Sequence, residues 1–201
     1  MSTYKSLLFS YNNDYLCENY YKMESKSNNI NTKKAIFEQN LKEGSDEFII
    51  STLEELRESG EDYMVGSIIN LLFTKRSEVL KEAVVSFLVD IKNQSAAVEI
   101  VNTIKEKRNL SDVSHLVSVC WQSRLDFSNE IKLFIDLLCK SEYQTSIEAF
   151  SVIENALDNT SDEKIAEYTL YLKNEAKKIS KDKQPLVQQM ILVMEEFGGG
   201  R

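Results

Sequence analysis

A single proline stands in 201 residues, and three of the six glycines are gathered in the terminal Gly198–Gly200 run. Proline and glycine are the residues that most reliably interrupt a helix. A chain nearly free of them is committed to long helices joined by short polar turns. The apolar pattern agrees. In SEVLKEAVVSFLVDI, apolar side chains fall at Leu80, Ala83, Val84, Phe87, Leu88 and Ile91, at spacings of three and four. Such spacing lines up one face of a 3.6-residue helix. Val79 and Val85 widen the stripe and predict a helix buried on more than one side. NEIKLFIDLLCK repeats the pattern through Ile131, Phe134, Ile135 and Leu138, and SIEAFSVIENAL through Ile147, Phe150, Ile153 and Leu157. Leu186, Met190, Val193 and Phe197 form a last stripe, and no period-two alternation suggests a strand.

Polar residues punctuate the stripes. Ser77, Ser111, Ser128 and Ser161 each precede a helical pattern, with Asp or Glu in the following turn. A serine hydroxyl at that point accepts a hydrogen bond from an orphan backbone N–H, and nearby carboxylates favour the positive helix end. Pro185 suits a first helical turn, where its missing N–H costs nothing. The closing glycines are suited to ending the last helix.

The helix starts recur. Patterns begin near Asp46, Ser77, Ser111 and Tyr143, at intervals of 31, 34 and 32 residues, with one further helix in each interval. Glu82-Ala83-Val84 aligns with Glu148-Ala149-Phe150, 66 residues later and twice an interval of 33. A small alanine at the centre of every second helix lets neighbouring layers approach. One helix pair cannot bury its apolar faces alone, so stacking of pairs is the physical solution.

IINLLFTKRSEVLKEAVVSFLVDI and FIDLLCKSEYQTSIEAFSVIENAL thus each read as a helix with leucine-rich spacing, a short polar turn and a helix with a central alanine. In this they resemble HEAT-like repeats, over roughly residues 46–197. The resemblance implies an all-α fold, an α–α superhelix of stacked antiparallel helix pairs of the HEAT-like, ARM-like or TPR-like kind. It implies a scaffold that presents a groove, and no particular chemistry. The chain departs from the HEAT pattern in three ways. The first-helix proline is missing. Of the two ladder positions, one holds Lys81 but the other holds Ile147. The interval is also shorter than the usual HEAT period of about 40–47 residues. A TPR array has nearer the right period, but its Trp, Gly and Tyr signature is absent.

Residues 1–34 differ in composition. Five of the nine tyrosines, Tyr4, Tyr11, Tyr15, Tyr20 and Tyr21, fall there among Asn, Ser and Lys. The expectation is a partly ordered or capping N-terminal segment at 1–34, followed by a helical-repeat domain at 35–201.

With 32 acidic and 24 basic side chains, the net charge of −8 weighs against a dedicated nucleic-acid binder, which needs a cationic footprint. Cys17, Cys120 and Cys139 show no CxxC pairing. That fits a reducing compartment, so the expected location is cytoplasmic, with no membrane association and no disulfide framework. One histidine and three scattered cysteines do not make a zinc site, whose ligands normally come in close pairs. No metal and no cofactor is expected.

Chemistry would most plausibly sit in CWQSRLDFS, Cys120–Ser128, which holds the only tryptophan and lies just after the only histidine, His115. On one helix, five positions turn Cys120 about 140° away from His115, too far for a nucleophile–base pair. Cys120 instead shares a core stripe with Val113, Leu116 and Val117, while His115 falls on the polar side with Ser118 and Gln122. The expectation is therefore no catalytic residue, and His115, Trp121, Gln122 and Arg124 as candidate contacts for another protein or a peptide on the concave surface of a noncatalytic scaffold. Two alternatives remain open. One is a HEAT-like DNA glycosylase, to which Trp121 and Asp126 would contribute the residue types. The other is a structural or regulatory subunit of an oligomer.

Overall fold

The computed structural model describes residues 32–59 and 64–199. The chain divides into two compact units, 1–44 and 45–201. In the first, the described residues form one helix, α1, over 32–43, which buries Phe37 and Leu41. The tyrosine-rich part of the segment expected at 1–34 lies outside the described residues.

The second unit is all-α, with no strand among the described residues. Its helices are α2 (Asp46–Ser59), α3 (Val65–Leu71), α4 (Glu78–Val89), α5 (Ser95–Lys107) and α6 (Val113–Gln122), followed by α7 (Ile131–Lys140), α8 (Tyr143–Ala156), α9 (Asp162–Glu175) and α10 (Gln184–Gly199). Successive helices pair as α3 with α4, α5 with α6, α7 with α8 and α9 with α10. Each even-numbered helix also packs on the next even one, from α2 through α10, while α3 meets α5 and α7 meets α9. Contact with both the next helix and the one after it makes two layers of stacked pairs, as in a helical solenoid. The even helices α2 to α8 begin at Asp46, Glu78, Val113 and Tyr143, within two residues of the starts expected from the repeat interval, and α10 follows after a longer step, at Gln184.

The stripes form the core between the layers. Leu80, Val84 and Leu88 of α4 are wholly buried, as are Phe134, Ile135 and Leu138 of α7. Burying an aliphatic side chain of that size contributes about 1.5–3 kcal/mol. Val113, Leu116, Val117 and Cys120 line the buried side of α6 as their spacing requires. Burial pushes the Cys120 thiol well above its ordinary range, and desolvation raises Cys139 to about 11. Both are free and apolar in role. Ala149 of α8 is fully enclosed, whereas Ala83 of α4 is half-buried.

The expected stripes differ from the buried faces in α4, α8 and α10; in α10 Val187, Met190, Ile191 and Met194 are buried, whereas Leu186, Val193 and Phe197 are only half-buried. Val79 is 66% exposed, so α4 does not bury a second side through it, and Ile147 of α8 is also exposed. Both point away from the buried face, since Leu80 and Lys81 beside Val79, and Thr145 and Ser146 beside Ile147, are buried in the same turns.

Two of the four expected serine caps hold. Ser77 Oγ accepts from Leu80 N at 3.3 Å and Ser161 Oγ from Lys164 N at 3.4 Å. The other two do not. Ser111 sits in a turn before Asp112, the N-terminal flanking residue of α6, whose side chain makes no cap bond. At Ser128 the roles are reversed. The Asp126 carboxylate accepts from Ser128 N at 2.9 Å and from Ser128 Oγ at 3.2 Å. Asp126 has the longer reach, and Ser128 itself opens a short 3-10 turn, Ser128–Glu130, ahead of α7. Phe127, just before it, is buried edge-on against Phe134, with ring centroids 6.1 Å apart. No helix among the described residues is long and apolar enough to cross a membrane.

Candidate functional site

Polar contacts that reach one repeat along the chain tie the stacked pairs together. At the first such rung Asp46, opening α2, accepts from Arg76 Nη1 at 3.1 Å and from Ser77 N at 3.0 Å, and Ser77 Oγ also donates to it. The Ser77 hydroxyl, then its backbone N–H, hold the Asp46 carboxyl below its usual range. At the second rung Lys81, only 8% exposed, places Nζ 2.7 Å from Asp112 Oδ1 and 3.2 Å from Glu78 Oε1. The hydrogen bond to Asp112 is the main reason its pKa rises. Charge-assisted bonds of this kind are short and about twice as strong as neutral ones. Lys81 thus links the start of α4 to the start of α6.

The third rung is the corner Cys120–Ser128. Its near side is stitched backward. Gln94, before α5, donates Nε2 to the Asp126 carbonyl at 2.7 Å and accepts Asp126 N at 2.9 Å. Its far side is stitched forward to α8. Trp121 Nε1 donates to Glu148 Oε2 at 2.7 Å, and Asn155 Nδ2 donates to the Trp121 carbonyl at 3.0 Å. Gln144 Nε2 holds the other oxygen of the Glu148 carboxylate at 2.7 Å. A buried or half-buried indole N–H needs a partner, and here the partner comes from the next repeat.

The four candidate contact residues divide into two kinds. Trp121 is fixed by these bonds yet 38% exposed. Gln122 and Arg124 are exposed and make no hydrogen bond or ion pair with any described residue. His115 is drawn inward instead. It is half-buried, its Nε2 lies 3.7 Å from Glu78 Oε2, and its Nδ1 is buried without a partner. The contact with Glu78 becomes an ion pair only when the imidazole is protonated. The structure therefore brings Trp121, Gln122 and Arg124 to one corner and sets His115 toward α4.

Glu148, Asn155 and Gln94, which fix the corner, were not singled out by residue type. Their signal was positional, since each lies about one repeat from its partner. Asp126, a candidate for chemistry beside Trp121, spends both carboxylate oxygens on Ser128. Among the described residues, no three His, Cys, Asp or Glu side chains gather as a metal site would need. No protein-family model, curated protein or solved structure matches the chain.

Proposed function

We propose that the second unit is a noncatalytic helical-repeat scaffold that binds another protein or a peptide at the corner between α6 and α7. The carrying observation is the combination of a clamped but exposed Trp121 with the unpartnered Gln122 and Arg124 beside it. Trp and Arg dominate binding hot spots. A tryptophan whose indole N–H is already held by Glu148 loses little further freedom when a partner covers it. Arg124 offers five donors that no acceptor among the described residues has taken.

We further read the repeats as HEAT-like. The support is the Lys81–Asp112 bond, which joins successive pairs where a HEAT ladder would, together with the stacked pairs themselves. A cytoplasmic location belongs to the same proposal, supported by two buried free cysteines.

Arg124→Glu tests the proposal without disturbing the fold, because the exposed Arg124 side chain bonds no described residue. Full-length protein purified from cells at near-physiological salt should carry a stoichiometric macromolecular partner, and the variant should lose it. A partner retained in full by the variant would contradict the assigned corner. A chain that binds a metabolite tightly and no macromolecule would contradict the scaffold itself.

A further inference from the structure

On the other side of the stack, where the end of α5 and the body of α7 approach the start of α8, lies a cleft of about 440 Å³. That is the size of a small-molecule site. Its wall includes Arg108 and Asn109 just after α5, Asp136 and Lys140 of α7, and Glu142 and Thr145 at the start of α8.

Three observations bear on what it would take. First, α8 begins without a cap. Glu142 flanks it but makes no side-chain cap bond, and the N–H groups of Tyr143, Gln144 and Thr145 meet no acceptor among the described residues. A helix start of this kind carries partial positive charge and free donors, which suits an anion. Second, Thr145 in that first turn is 2% exposed, lines the cleft and makes no hydrogen bond with any described residue. Its hydroxyl is not among the fully enclosed side-chain atoms that lack a partner, so it opens to the cleft rather than turning back onto the helix. The neighbouring Ser146 does turn back, bonding the Glu142 carbonyl at 3.1 Å. Third, the Arg108 guanidinium on the same wall is exposed and pairs with no described residue.

The remaining charges are sorted. Asp136 accepts from Lys140 Nζ at 2.5 Å and from the Tyr171 hydroxyl at 2.8 Å, and Lys140 also meets Glu175 at 3.2 Å. Those groups satisfy one another. Among the described residues, Arg108, Asn109, Thr145 and the helix start are left as donors, and Glu142 as the unpaired carboxylate.

We infer that this cleft binds the phosphate group of a small hydroxylated phosphomonoester. The phosphate is taken by the α8 N-terminus, Thr145 and Arg108, and a ligand hydroxyl donates to Glu142. A bare inorganic phosphate would meet the same donors, and its P–OH could also donate to Glu142, but it would leave most of the cleft of about 440 Å³ unfilled. That difference separates the two sources of the anion.

The test is a titration of the full chain with inorganic phosphate and with glycerol phosphate, followed through backbone amide NMR shifts against chloride at matched ionic strength. Both anions should saturably move the amides of Gln144, Thr145 and Ser146, glycerol phosphate at lower concentration. Thr145→Val and Arg108→Ala should each weaken binding by roughly tenfold, the loss of one good hydrogen bond to a charged group. Valine keeps the branched shape, and the lost hydroxyl has no intramolecular partner, so Thr145→Val should melt no lower than the parent. Glu142→Gln, which removes a like charge from the wall, should tighten both anions. Shifts that do not saturate beyond the chloride control, or that persist unchanged in both donor variants, would overturn the site. Equal affinity for the two probes would overturn its assignment to an ester.

Discussion

Lys81→Met removes the charge that joins α4 to α6 while keeping most of the aliphatic stem in place. Lys81 is nearly enclosed, and its Nζ is 2.7 Å from Asp112, whose side chain is 35% exposed. A hydrogen bond to a charged group contributes about 1.5–3 kcal/mol when both partners are shielded. An exposed ion pair contributes only about 0.2–1 kcal/mol. Asp112 can return to water once its partner is gone, so the expected loss is about 1–2 kcal/mol, between these limits. Urea unfolding of the parent, Lys81→Met, Asp112→Asn and the double variant gives the cycle. The coupling energy should be about 1 kcal/mol, above the scatter of about 0.3–0.5 kcal/mol seen for independent sites. The pH dependence carries a sign. The folded-state pKa of Lys81 is raised, chiefly by Asp112, so its stabilisation is complete below the unfolded value of about 10.4 and is lost as pH rises through the folded value. The gap between parent and Lys81→Met should stay flat from neutral pH to about 9, then narrow above about 10.4. Additive single variants, or a gap that widens in alkali, would refute the claim that this bond ties one repeat to the next.

Ser77→Ala removes both the cap of α4 and a donor to Asp46, and should cost about 1–2 kcal/mol by denaturant unfolding. Because Asp46 is held below its usual range chiefly by Ser77, that rung stabilises above the unfolded carboxyl value and is lost as pH falls through the folded one. The penalty should therefore shrink in acid. Phe134→Ala empties a fully buried position against Phe127 and should cost about 3–5 kcal/mol, read in the same assay. Glu148→Ala frees the only indole N–H, so tryptophan emission should shift and become more accessible to a neutral quencher, with at most about 1.5 kcal/mol of lost stability.

The helices and their stacking were legible because scarce breakers and three-four spacing are local signals. The repeat interval placed every second helix to within two residues from Asp46 to Tyr143. Stripe width was less legible. Val79 and Val84 are equally apolar on paper, but only Val84 is covered by the neighbouring helices. The serine caps failed where another side chain competed, as Asp126 does at Ser128. At the corner, residue type marked Trp121, but its acceptor lay 27 residues on in the next repeat. The reach of a side chain across a repeat is a tertiary fact, and only the interval hinted at it. His115 shows the same limit, since its place on the polar side of α6 did not reveal that Glu78 of the preceding pair faces it. The cleft at α8 was not legible because its donors, backbone groups, Thr145 and Arg108, come from separate elements with no motif around them.

The account rests on the corner after α6 being the surface that meets a partner. A photo-crosslinking residue replacing Gln122 tests this directly, with the same residue at exposed Val98 of α5 as the control on the other layer. A discrete protein adduct from position 122, absent from position 98 and lost on Arg124→Glu, is the predicted result. Equal adducts from both positions, or an adduct from position 98 alone, would contradict it.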